Sequence, residues 1–107
     1  MRNIDELFDD IKNGIEELAG DTIAEYKDKA ISDWNKFIEK LKDDVRRWIE
    51  LIEENKLTKD EFEFLIRSKK DLGEMFLLKQ KGLTQAKIDK FRNGMVKLII
   101  GTIFDLF

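Results

Sequence analysis

Apolar positions between residues 22 and 54 recur every eleven residues. Ile23, Trp34 and Val45 form one register, Tyr26, Phe37 and Trp48 a second, and Ala30, Leu41 and Ile52 a third. Successive members of the stripe are three, four and four residues apart, a spacing that only a helix gathers on one face. The pattern predicts one long amphipathic helix over about 22–54. Eleven residues in three turns is close to the relaxed helical period, so such a stripe favours a straight or mildly right-handed bundle. A competing heptad, Ile31, Ile38, Val45 and Ile52, holds only in the second half and meets Ala24 and Lys27 upstream. The two patterns together make a wide apolar face, suited to two neighbouring helices, with Trp34 and Trp48 as core anchors.

Three further helices are predicted by stripes and caps. The first spans about 3–19, with Ile4, Leu7, Ile11, Ile15 and Leu18 on one side, Asn3 as cap and Gly20 as the closing residue. Thr22 and Glu25 read as the capping box of the long helix, and Asn55 as its left-handed end. The third helix opens on Leu57-Thr58-Lys59-Asp60-Glu61-Phe62, where Thr58 and Glu61 form a capping box and Leu57 a hydrophobic staple, and it is expected to reach Lys81 before Gly82. Thr84 caps a fourth helix running to about Leu106. Connections this short predict antiparallel neighbours. The expected architecture is all-α: an elongated antiparallel bundle of four helices with one long central helix, forming a single domain over residues 1–107.

The fourth helix is unusual. Residues 94–107 read GMVKLIIGTIFDLF, and only Lys97 and Asp105 carry charge. A helix apolar nearly all round must be surrounded. A four-helix monomer is expected to cover only part of it, leaving Ile99, Ile100, Ile103, Phe104 and Phe107 as a subunit interface. Gly94 and Gly101, seven apart, point either to a close helix–helix approach or to ordinary tolerance.

Composition narrows the chemistry. Charged residues make up 40% of the chain and apolar residues 42%, which suits helices with one buried stripe and a charged outer face. There is no proline to break a helix, no cysteine for a disulfide or thiolate site, and no histidine for acid–base work or metal ligation. Residues 1–55 carry 16 acids and 9 bases, net −7, and residues 56–107 carry 7 acids and 11 bases, net +4, so the halves attract each other. The carboxylate doublets Asp9-Asp10, Glu16-Glu17, Asp43-Asp44 and Glu53-Glu54 point about 100° apart on a helix and are read as solvated charge rather than catalytic dyads. No phosphate-binding glycine loop or EF-hand spacing is present.

These observations predict no catalytic residues, no cofactor and no metal. The expected role is a non-catalytic protein–protein interaction or structural module that self-associates, or docks a helical partner, through apolar helix faces. The alternative is a peripheral membrane protein: Lys79, Lys81, Lys87, Lys90, Arg92 and Lys97 flank or enter the apolar C-terminal helix, a pattern compatible with anionic lipid. Nucleic-acid binding ranks third, since the local +6 over residues 67–97 sits in an acidic chain without a helix-turn-helix signature. Residues 1–20 lack the basic start and apolar run of a secretory leader, so a cytoplasmic location is expected.

Overall fold

The computed structural model describes residues 3–69 and 82–105. Within them the chain forms α1 (Ile4–Thr22), a 3-10 turn (Ala24–Tyr26), α2 (Lys27–Glu53), α3 (Lys59–Arg67) and α4 (Gln85–Phe104). No strand occurs among the described residues. The fold is an all-α bundle, 44 × 23 × 20 Å along its principal axes. At 1.5 Å per residue α2 measures about 40 Å, so this one helix sets the long dimension.

The eleven-residue stripe is the buried face of α2 and its approach. Ile23, Ala30, Trp34, Phe37, Leu41, Val45 and Ile52 are all buried, while Tyr26 and Trp48 are half-buried against the same core. Ile31 and Ile38, which belong to the heptad alone, are also half-buried. The eleven-residue register therefore describes the centre of the face, and the heptad describes one of its margins.

Three expected boundaries differ. Gly20 does not close α1; the helix continues through it to Thr22, and Ile23 is the terminal residue with φ −142°. The Thr22 hydroxyl donates to the Leu18 carbonyl at 2.7 Å and the Ile23 N–H to the Ala19 carbonyl at 2.8 Å, so the last turn is satisfied internally. Thr22 is thus committed to α1 and does not cap α2, which starts at Lys27 after the 3-10 turn. α3 is likewise shorter than expected. It stops at Arg67, where the Ser68 N–H returns to the Phe64 carbonyl and the Lys69 N–H to the Ile66 carbonyl. The part of the expected third helix beyond Lys69 lies outside the described residues. Asn55 (φ 59°) and Gly82 (φ 92°) take the left-handed conformation anticipated for them.

α1 packs most extensively on α4 and next on α2, and α3 packs mainly on α4. The α1–α4 seam is built on two glycines. A Cβ placed on Gly14 would lie 2.9 Å from a Leu98 methyl, and one on Gly94 would lie 2.8 Å from a Leu18 methyl. Each helix carries Gly-x-x-x-Leu, and the leucine of one covers the glycine of the other. The pairing of 14 with 98 and 18 with 94 makes the two helices antiparallel. Gly94 is therefore a site of close approach, whereas Gly101 faces open space.

This arrangement corrects the expectation for the C-terminal helix. Phe91, Met95, Val96, Ile99, Ile100 and Ile103 are all buried within one copy of the chain. Adjacent buried pairs such as Val96 beside Met95 and Ile100 beside Ile99 give α4 a wide apolar face, and two helices, α1 and α3, divide it between them. Ile99, Ile100 and Ile103 are core residues here, not an outward surface.

Candidate interaction surface

The apolar surface that does face outward belongs to α3, and its geometry begins at the cap. The Thr58 side chain accepts from the Glu61 N–H at 3.1 Å, and the Glu61 carboxylate accepts from the Thr58 N–H at 3.0 Å. This reciprocal box fixes the helix start. The backbone hydrogen bond from Thr58 holds the Glu61 carboxyl below its ordinary value, with the Thr58 side chain adding to the effect.

From that start, α3 presents two faces. Phe62 and Ile66, four apart, are fully buried. Phe62 meets Trp48 edge-on at 5.9 Å between ring centroids and Phe104 at 5.5 Å. Phe64 is about 200° around the helix from Phe62 and cannot share its burial; it is 69% exposed, the large apolar residue most open to solvent among those described. Leu57, Asp60, Glu61, Phe64 and Leu65 line an open groove of about 320 Å³ on this outer side. Asp60, Glu61, Phe64 and Leu65 share one side of α3, and Leu57 joins them from just before the cap. Leu57 and Leu65 are half-buried, and Leu57 packs against the core and joins the groove to the bundle.

The remaining charges near α3 are tied into the bundle. Lys69 and Arg47 both donate to the Asp44 carboxylate, and the Lys69 ammonium also lies 5.5 Å from the Trp48 ring centroid. The Lys69 hydrogen bond is the main reason the Asp44 carboxyl sits below the usual carboxylate range. Arg67 bonds Asn93 at 2.9 Å and approaches Glu63 at 3.6 Å, tying α3 to α4.

Of the side chains expected at an interface, Ile99, Ile100 and Ile103 lie in the core, as described above. Phe104 is half-buried against Phe62, with the Lys59 ammonium 6.0 Å from its ring centroid. Phe107 lies outside the described residues. Trp34 is fully enclosed between Phe8 and Phe37, with ring centroids at 6.1 and 6.0 Å, and Trp48 is half-buried. A second, more polar cleft of about 210 Å³ lies where Gly20–Tyr26 meets Gly82, Leu83 and Lys87. Among the described residues no three carboxylates gather where they could hold a metal ion, and no helix is long and apolar enough to cross a membrane.

Comparison with known protein families, curated proteins and solved structures finds no match for this chain. The groove itself was missed in the sequence pattern. Its signal was the pair Phe62 and Phe64: two aromatic residues two apart on one helix cannot both face the same core.

Proposed function

We propose that the protein is a non-catalytic interaction module that docks a protein partner through the outer face of α3. The observation that carries this reading is Phe64, a large aromatic side chain left mainly in solvent beside Leu57 and Leu65 at a defined groove. Isolated exposed apolar residues are ordinary, but an exposed aromatic set in an apolar groove with a polar rim has the composition of an interface anchor. The chain offers no histidine or cysteine for the commonest catalytic roles. Its carboxylate doublets are on exposed or half-exposed helix faces.

Self-association through the last helix loses its main support, because the isoleucines on which it rested are covered by α1 and α3 of the same copy. The lipid-binding alternative is likewise left without Ile99, Ile100 and Ile103 as an exposed apolar face.

Photo-crosslinking tests the reading. A benzophenone amino acid at position 64, in cells of the source organism, is expected to give a discrete protein adduct that the same probe at exposed Lys36 does not give. Adducts identical from both positions, or none from position 64, would count against it.

A further inference from the structure

The groove on α3 has a sign. Residues 50–65 hold six acids (Glu50, Glu53, Glu54, Asp60, Glu61, Glu63) and two bases (Lys56, Lys59), a local net charge of −4. The bases are turned to the chain itself: the Lys56 ammonium lies 3.1 Å from the Glu54 carboxylate, and that of Lys59 lies over the Phe104 ring. Arg67, one turn beyond, is held by Glu63 and Asn93. Asp60 and Glu61 form the polar rim of the groove, and Asp60 makes no ion pair among the described residues. Glu61 is a carboxylate near neutral pH in any case, and the cap holds its carboxyl below the ordinary value.

We infer that the occupant of this groove is an amphipathic helix of a partner protein, with lysines or arginines flanking an apolar stripe. The inference rests on the interaction reading above and adds the chemistry of the partner. Three features select it. The apolar lining runs along the outer side of α3, with Phe64 and Leu65 on its second turn and Leu57 just before the cap, which suits the ridge of another helix and the helix-in-groove mode of recognition. The described part of the fold offers no sheet edge to which an extended peptide could add a strand. The rim is acidic, so a second copy docking by a two-fold axis would set Asp60 and Glu61 against the same residues of its partner, a like-charge contact that disfavours the isologous dimer. A basic flank turns that repulsion into attraction and steers the encounter.

The test uses the full chain and three synthetic 18-residue peptides: an amphipathic leucine–lysine helix, its leucine–glutamate counterpart, and a scrambled leucine–lysine sequence without the stripe. Binding is read by amide chemical-shift changes in the labelled protein. The leucine–lysine helix is expected to shift amides within 57–65 and to bind at least ~10-fold more tightly than either control, since a pair of well-placed charges and an apolar anchor are each worth about a factor of ten. Phe64→Ser is expected to weaken binding about 10-fold, and Asp60→Lys to weaken it and flatten its salt dependence. Equal binding of the glutamate peptide, equal binding of the scrambled peptide, or shifts confined to other faces would overturn the inference. A discrete adduct from position 64 alongside failure of the lysine peptide would sink the partner chemistry while leaving the docking face in place. Light scattering that finds a dimer disrupted by Phe64→Ser would assign the groove to a second copy instead.

Discussion

The α1–α4 seam and the outer face of α3 are built from the same kinds of side chain, yet one is closed and the other open. At the seam, Leu18 and Leu98 each find a glycine on the facing helix, and the backbones come close enough to enclose Ile15, Met95 and Ile99. At the outer face, Phe64 and Leu65 project from a nine-residue helix whose inner side is already occupied by Phe62 and Ile66. What separates the two, among the described helices, is how many of them pack on each face. α4 is wide in its apolar character but has α1 on one flank and α3 on the other. α3 packs chiefly on α4, and its far side keeps an open groove.

The sharpest way to break this comparison is to place one charge in each region. Ile103→Lys puts an ammonium into a fully enclosed position and is expected to cost ~4 kcal/mol or more, enough to unfold a small domain. Phe64→Lys, on the open face, is expected to stay within ~0.5 kcal/mol of the parent. Urea denaturation of both variants checks the contrast, and equal losses would erase it.

The seam itself is probed by overpacking. Gly94→Val adds a branched side chain where a Cβ already meets Leu18, and is expected to cost ~1–3 kcal/mol, less a part returned by better helix propensity. Adding Leu18→Ala is expected to recover part of the loss, so that the two changes are non-additive. Additive losses in thermal or urea unfolding would show that the two residues do not press on one another.

A smaller effect is expected at the start of α3. Thr58→Ala removes the hydroxyl half of the capping box and is expected to cost ~1 kcal/mol. It is also expected to raise amide exchange selectively in the first turn of α3. Uniform exchange across the bundle would mean that the cap does not set the local order.

The smallest effect concerns acid. Asp44 and Glu61 both have folded-state values below those of the unfolded chain. Their contribution is therefore present above the ordinary carboxylate range and is lost as pH falls through the depressed folded values. For the Asp44 clamp the amount is ~1 kcal/mol or less, as for other pairs near the surface. Asp44→Asn is expected to be slightly less stable near neutral pH and to lose less on acidification. An identical acid profile in the variant would remove the clamp from the account.

The helices and most of the core were legible because burial follows spacing. The nine positions of the eleven-residue repeat are all buried or half-buried, and Asn55, Thr58 and Thr84 mark boundaries that the chain uses. What spacing does not encode is which helix covers which. The reciprocal glycine–leucine contact joins residues 14 and 98 across most of the chain, and no local pattern announces it. Without it, α4 looked too apolar for one copy to hide, and Ile99, Ile100 and Ile103 were placed outside. Gly20 differs for a related reason: a glycine two residues before a threonine resembles a helix end, but the Thr22 hydroxyl and the buried Ile23 carry α1 past it. The outer face of α3 is absent from the sequence reading, although Phe-Glu-Phe carries its signal: helical geometry turns Phe64 away from the side that Phe62 buries.

Solvent exposure of these apolar side chains measures the central claim most directly. In a dilute sample of the chain, a water-soluble nitroxide is expected to broaden the ring signals of Phe64 strongly and to leave the methyl signals of Ile99 and Ile103 sharp. Broadening of the Ile103 methyls to the extent seen at Phe64 would contradict the account, since it would place the C-terminal helix at the surface.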